Sequence, residues 1–186
     1  MQVTFRILRF NPEVDKEPHF EDYRFEGHEN MTVLDCLHKI KWEHDGSLAF
    51  RRSCAHGVCG SDGMRINGRN HLACSTLLKD INTKKPVVIE PLPAMPIIKD
   101  LILDMTDFYE KYKAVKPYLI NNTPVTEDSE RLQSNADAEK LFESAKCILC
   151  ACCTTSCPST WTNNNYIGPA ALLKAYRFVF DTRDEA

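Results

Sequence analysis

The chain has 186 residues, 43% of them hydrophobic, and a formal net charge of −3. That length supports a packed core and up to two modest domains, and the slight acidic balance gives no electrostatic reason to expect nucleic acid as a partner. No run approaches the roughly 18 apolar residues of a membrane span; the nearest, Val87 to Met105, is cut by Glu90, prolines and Lys99-Asp100.

From the N-terminus, Val3, Phe5 and Ile7 alternate with polar residues until Asn11-Pro12, which predicts a half-buried strand. Phe20, Tyr23 and Phe25 predict a second. Asn30 or Thr32 can cap a helix whose apolar face is Val33, Leu34, Leu37 and Ile40. Cys36 within it has no ligand at useful spacing and is expected in the core. His38 and Trp42 are expected to pack, or in the case of His38 to meet solvent. Met64 to Arg69 contains an Asn-Gly turn between short strands, and Val87 to Glu90 predicts another strand, ended by Pro91. The series Ile98, Leu101, Ile102, Met105, Phe108 and Tyr109 predicts one apolar helical face from Ile97 to about Lys113. Asn121 to Asp137, with Glu127-Asp128-Ser129-Glu130, reads as a polar linker or surface loop, and the rest as helical.

Nine cysteines are many for this length. Eight of the nine fall in two groups, Cys54 to Cys74 and Cys147 to Cys157, a grouping that suits metal ligation better than a disulfide framework. Met1-Gln2-Val3-Thr4-Phe5 carries neither a secretory nor a transit signature, so a reducing interior is expected.

In the first group, Cys54 and Cys59 stand at C-x4-C, Asp62 follows at the third position, and Cys74 is a distant fourth. This is plant-type ferredoxin spacing for a 2Fe–2S cluster, with a carboxylate in place of the third thiolate. A carboxylate is anionic but harder than sulfur, so it should alter potential and lability. Gly57 and Gly60 allow the positive φ values that turn backbone N–H groups toward sulfur. Arg51 and Arg52 either offset the site's negative charge or are solvated surface residues.

The second group, Cys147, Cys150, Cys153 and Cys157 before Pro158, is C-x2-C-x2-C-x3-C-P, the bacterial ferredoxin run, in which the fourth cysteine serves another cluster when two are present. Zinc is the alternative, though four cysteines packed this closely suit it poorly. Cys152, adjacent to Cys153, is read as a packing or supporting residue.

Arg51-Arg52-Ser53-Cys54, Cys59-Gly60-Ser61-Asp62-Gly63, Cys147-Ile148-Leu149-Cys150-Ala151-Cys152-Cys153, Cys157-Pro158-Ser159 and Tyr166-Ile167-Gly168-Pro169-Ala170 resemble the hallmarks of the iron–sulfur subunit family of succinate dehydrogenase and fumarate reductase. The resemblance covers the whole chain, and Ala-Cys-Cys with Ile-Gly-Pro-Ala favours the succinate dehydrogenase branch. It implies an α+β chain: a β-grasp ferredoxin-like domain over residues 1–96, then an all-α bacterial-ferredoxin-like domain, incomplete, over 97–186.

The resemblance further implies a 2Fe–2S cluster on Cys54, Cys59, Asp62 and Cys74, a 4Fe–4S cluster on Cys147, Cys150 and Cys153, and Cys157 as the first ligand of a 3Fe–4S cluster. Electrons from an FAD flavoprotein oxidising succinate would pass through these clusters to quinone at cytochrome b-type membrane-anchor subunits, within the tricarboxylic acid cycle and respiratory chain. The implied place is peripheral, on the cytoplasmic face of a bacterial inner membrane, with no substrate chemistry in this chain's own side chains. Two departures stand out. The family's third cysteine group is expected beyond Ala186, which suggests a truncated product with only its first ligand set complete. Thr162 also stands where relatives carry a second tryptophan, so Pro158, Ser159, Trp161 and Thr162 are weak quinone-site candidates.

Three alternatives remain. Fumarate reductase differs in direction. A free ferredoxin-like carrier should expose little apolar surface, whereas Leu172, Leu173, Tyr176, Phe178, Val179 and Phe180 suggest faces that need covering. A zinc-binding structural module would differ in metal content.

Overall fold

The fold is described from a computed structural model covering residues 1–125 and 130–186. Strand β1 (Gln2–Arg9) pairs antiparallel with β2 (His19–Glu26) and parallel with β5 (Val87–Glu90). The hairpin of β3 (Gly63–Ile66) and β4 (Arg69–Leu72) completes a five-stranded sheet in the order β2-β1-β5-β3-β4. Asn67 and Gly68 both take positive φ, as an Asn-Gly hairpin turn requires. Helix α1 (Val33–Glu43) opens with a capping box between Thr32 and Asp35, and buries Val33, Leu34, Cys36, Leu37 and Ile40. Those residues meet Val3, Phe5, Ile7, Val87 and Ile89 in the main core.

Beyond the sheet the helical expectation needs correction. Residues Ile97–Lys99 (β6) and Ile102–Leu103 (β7) form an antiparallel hairpin, and helix α2 covers only Thr106–Ala114. Asp100 is the reason. Its φ is 47°, its N–H donates to Phe10 O at 2.8 Å, and its carboxylate accepts from Phe10 N at 2.9 Å and Ala49 N at 2.8 Å. The side chain, 1% exposed, also pairs with buried Arg9 at 3.0 Å. Arg9 in turn donates to Glu21, Tyr23, Asp45 and Ser47, so one cation ties two strands, the loop after α1 and the hairpin tip together.

Helix α3 (Asn135–Ala145), capped by Ser134, precedes the short α4 (Cys152–Thr155) and α5 (Pro158–Thr162), and then α6 (Gly168–Val179). The core beside them is small and shared with earlier elements: Leu92, Leu103 of β7 and Phe108 of α2 with Ala151 and Ala170. The loop expected from Asn121 to Asp137 ends earlier, because α3 begins at Asn135; residues 121–125 and 130–134 carry no helix or strand, and Ile120 N donates to Asp184 and Asn121 Nδ2 to the Arg183 carbonyl near the chain's last residues. Glu127, Asp128 and Ser129 lie outside the described residues. No helix among the described residues is long and apolar enough to cross a membrane.

Candidate iron–sulfur site

The loop from Cys54 to Asp62 wraps because Ala55, Gly57 and Gly60 all adopt positive φ, at 59°, 78° and 68°. The sequence suggested the two glycines; Ala55 carries no such signal. The turns aim the N–H groups of His56, Val58 and Cys59 at the Cys54 sulfur, at 3.5, 3.4 and 3.3 Å. The Cys59 sulfur lies 3.5 Å from the N–H groups of Cys54 and Ser61 and 3.2 Å from the Ser61 hydroxyl. Hydrogen bonds from Ser61, through its hydroxyl and N–H, draw the Cys59 thiol down to about 6, favouring thiolate.

Hairpin β3–β4 returns Cys74 against this loop. Asp62 is 3% exposed. One carboxylate oxygen accepts from Cys74 N at 2.5 Å; the other, Oδ1, is buried with no partner. Burial and the neighbouring Asp62 carboxylate push the Cys74 thiol up to about 11. Cys54, Cys59, Asp62 and Cys74 are therefore brought together, as a sulfur-rich donor set with an orphaned anionic oxygen. Such a set fits a thiolate-bound iron–sulfur cluster, because the buried charge that is costly alone would be offset by iron. No three His, Cys, Asp or Glu side chains among the described residues converge as they would around a single ion.

Of the two arginines before the cage, Arg51 reaches away to the Met105 sulfur, and Arg52 lies near His38, whose pKa burial and that charge depress. Trp42 does not pack inward as expected. It is 75% exposed and stacks on His38 with ring centroids 4.9 Å apart, because its helix position falls on the face away from Leu37 and Ile40.

The second cysteine loop turns through Leu149 and Ala151, at φ 55° and 65°. It lies directly against the first. A Cβ on Gly60 would come within 2.8 Å of Cys150 Cβ, and one on Gly63 within 2.9 Å of Cys150 O. Hydrogen bonding from the Cys152 thiol draws Cys150 down to about 6, while Cys152 itself is pushed up. Cys152 is partly buried and packs against the cluster of Leu92, Leu103, Phe108, Ala151 and Ala170. Cys153 is exposed and Cys147 partly buried. The Cys157 thiol is lowered by the Thr160 and Ser159 N–H groups at the start of α5.

Asn70, which carried no motif, donates from Nδ2 to Ser156 Oγ at 2.8 Å, Thr155 Oγ1 at 2.9 Å and Cys152 O at 3.2 Å. Among the quinone candidates, Trp161 lines a cleft of about 700 Å³ with Arg69, Asn70, Thr155 and Ser156, whereas Pro158, Ser159 and Thr162 do not line it. Trp161 Nε1 donates to Thr155 O at 2.8 Å, and the Thr162 hydroxyl turns back to Pro158 O.

Comparison with known proteins bears on this geometry. Residues 4–110 match the family model described as a 2Fe-2S iron-sulfur cluster binding domain, a span that includes the β6–β7 hairpin. The chain is 51% identical over 185 residues to the "Succinate dehydrogenase iron-sulfur subunit" of Coxiella burnetii, covering 98% of this chain and 77% of that one. It is 49% identical to "Succinate dehydrogenase (ubiquinone) iron-sulfur subunit 3, mitochondrial" of Arabidopsis thaliana, covering 97% and 59%. A chain of the Mycobacterium smegmatis Sdh1 complex in the apo form superposes with a TM-score of 0.85 at 27% identity, over 98% of this chain and 77% of that one.

Proposed function

The chain belongs to the succinate dehydrogenase iron–sulfur subunit family, and on that premise we propose that it takes electrons from a flavoprotein oxidising succinate and passes them toward quinone. Its place in such an oxidoreductase is that of an electron-transfer subunit with a 2Fe–2S domain. The observation that carries the reading is Asp62: a buried carboxylate with one unpartnered oxygen, set beside Cys54, Cys59 and Cys74 in a loop whose N–H groups face sulfur.

Those four residues would hold the 2Fe–2S cluster, which when bound supplies one-electron oxidation and reduction. The chain's own contribution is environment. N–H groups face the Cys54 and Cys59 sulfurs, and burial of Asp62 keeps water from competing with it. Cys147, Cys150 and Cys153 would serve a 4Fe–4S cluster and Cys157 a 3Fe–4S cluster. We read residues 1–96 as a β-grasp unit and 97–186 as a mainly helical one, and assign the partners as an FAD flavoprotein and membrane-anchor subunits on the cytoplasmic side of a bacterial membrane. The exposed Leu172, Leu173, Tyr176, Val179 and Phe180 of the α6 region support a subunit of a complex over a free carrier. Quinone contact rests on Trp161.

The test is iron and acid-labile sulfide per chain, with EPR before and after dithionite, on anaerobically isolated protein. At least about two irons and a reduced-state signal are expected; iron-free protein would overturn the reading. Asp62→Cys should keep that signal and shift the potential, and an unchanged spectrum and potential would remove Asp62 from the ligand set.

A further inference from the structure

A relay between two cysteine loops depends on their separation, because electron transfer weakens steeply with distance. Three features meet at the seam between them. Gly60 and Gly63 present no side chain to Cys150, so the loops approach backbone to backbone. Asn70, on β4 of the hairpin that carries Cys74 back to its loop, reaches across to the opposite wall at Cys152 O, Thr155 Oγ1 and Ser156 Oγ. The carbonyl of Cys152 accepts only, so the amide must turn its NH₂ toward α4.

On the electron-relay reading, we propose that Asn70 is a positioning residue that holds the second cysteine loop against the first cage. Its hydrogen bonds go to none of the candidate ligands' side chains. It bonds to the backbone at Cys152, between Cys150 and Cys153, and to the hydroxyls of Thr155, the last residue of α4, and Ser156 just after it. The glycines set how near the loops can come, and Asn70 keeps them there. Thr155 also donates to Ala151 O at 2.9 Å, so the pull of Asn70 on this helix is passed to the left-handed turn at Ala151.

The experiment uses Asn70→Ala and Asn70→Asp, the second keeping the shape but setting an acceptor against the Cys152 carbonyl. In the 186-residue chain, iodoacetamide labelling read by mass spectrometry should modify Cys150 and Cys152 about tenfold faster than in the parent, since ordinary hydrogen bonds hold the seam closed. Cys36, buried in the sheet core, should stay at its parent rate and so report an intact fold. In iron-loaded protein held in its complex, Asn70→Asp should lose part of the fast spin relaxation that the second cluster imposes on the reduced first-cluster EPR signal. Parent labelling rates in both variants would overturn the proposal, as would unaltered relaxation. If Cys36 also becomes reactive, Gly63→Ala decides: its methyl crowds Cys150 O, and parent rates there would equally overturn it. An iron-free parent chain would sink the functional reading instead, while the labelling would still judge the seam.

Discussion

The first cysteine loop hangs from a sheet and helix whose core includes Phe5, Ile7, Leu37, Ile40 and Ile89, all fully buried. The second rests on short helices around Leu92, Leu103, Phe108, Ala151 and Ala170, and leaves much of the apolar surface of α6 outside. The first region therefore supports itself, while the second draws part of its geometry from contacts with β3 and β4. Damage to the first should be global, and damage to the second local.

Cys59→Ala should break the comparison most completely, by abolishing the reduced-state EPR signal of the first cluster; an unaltered signal would contradict the assignment. Arg9→Met should come next. It strands Asp100 without its cation and is expected to cost about 4 kcal/mol in urea unfolding, the scale for breaking one side of a buried pair. A loss under about 1 kcal/mol would show that the hairpin tip does not depend on that pair.

Leu37→Ala and Leu173→Ala sharpen the contrast between the regions. The first should cost about 3 kcal/mol through a core cavity, and the second under about 0.5 kcal/mol, being exposed. Equal costs would mean that α6 is packed more tightly than its exposure indicates.

A further contrast concerns acid. Hydrogen bonds from Arg183, with a further contribution from Arg177, hold the Asp181 carboxyl well below the usual carboxylate range. A depressed carboxyl contributes stability that is fully present above its unfolded pKa near about 4 and is lost as pH falls through the folded value. Asp181→Asn should therefore be less stable near neutrality, with a flatter stability curve below about pH 4. An unchanged slope there would sink this account.

Much was legible because it is local. The proposed ligand spacing from Cys54 to Asp62 lies within one loop and that from Cys147 to Cys157 within a loop and the short α4, the Thr32 cap acts over three residues, and Asn67-Gly68 encodes its own turn. The run from Ile97 to Lys113 misled because the apolar residues of a hairpin happened to recur at helical intervals. Asp100 broke that run only by reaching Arg9, Phe10 and Ala49, far away in sequence. Trp42 misled because residue type says little about which side of a helix faces solvent.

By itself, then, the sequence supplied the proposed donor residues and their order, since a thiol or carboxyl group brings its chemistry wherever it sits. Only the tertiary structure decided that Gly60 and Gly63 meet Cys150, that Arg51 turns to Met105, that Asn70 bridges two cysteine loops, and that one oxygen of Asp62 is left buried without a partner. Each depends on residues remote in the chain: the β3–β4 hairpin meets the second cysteine loop at Asn70, Gly63 and Cys150, Met105 lies at the start of α2, and Asp62 faces Cys74, so no local pattern encodes them.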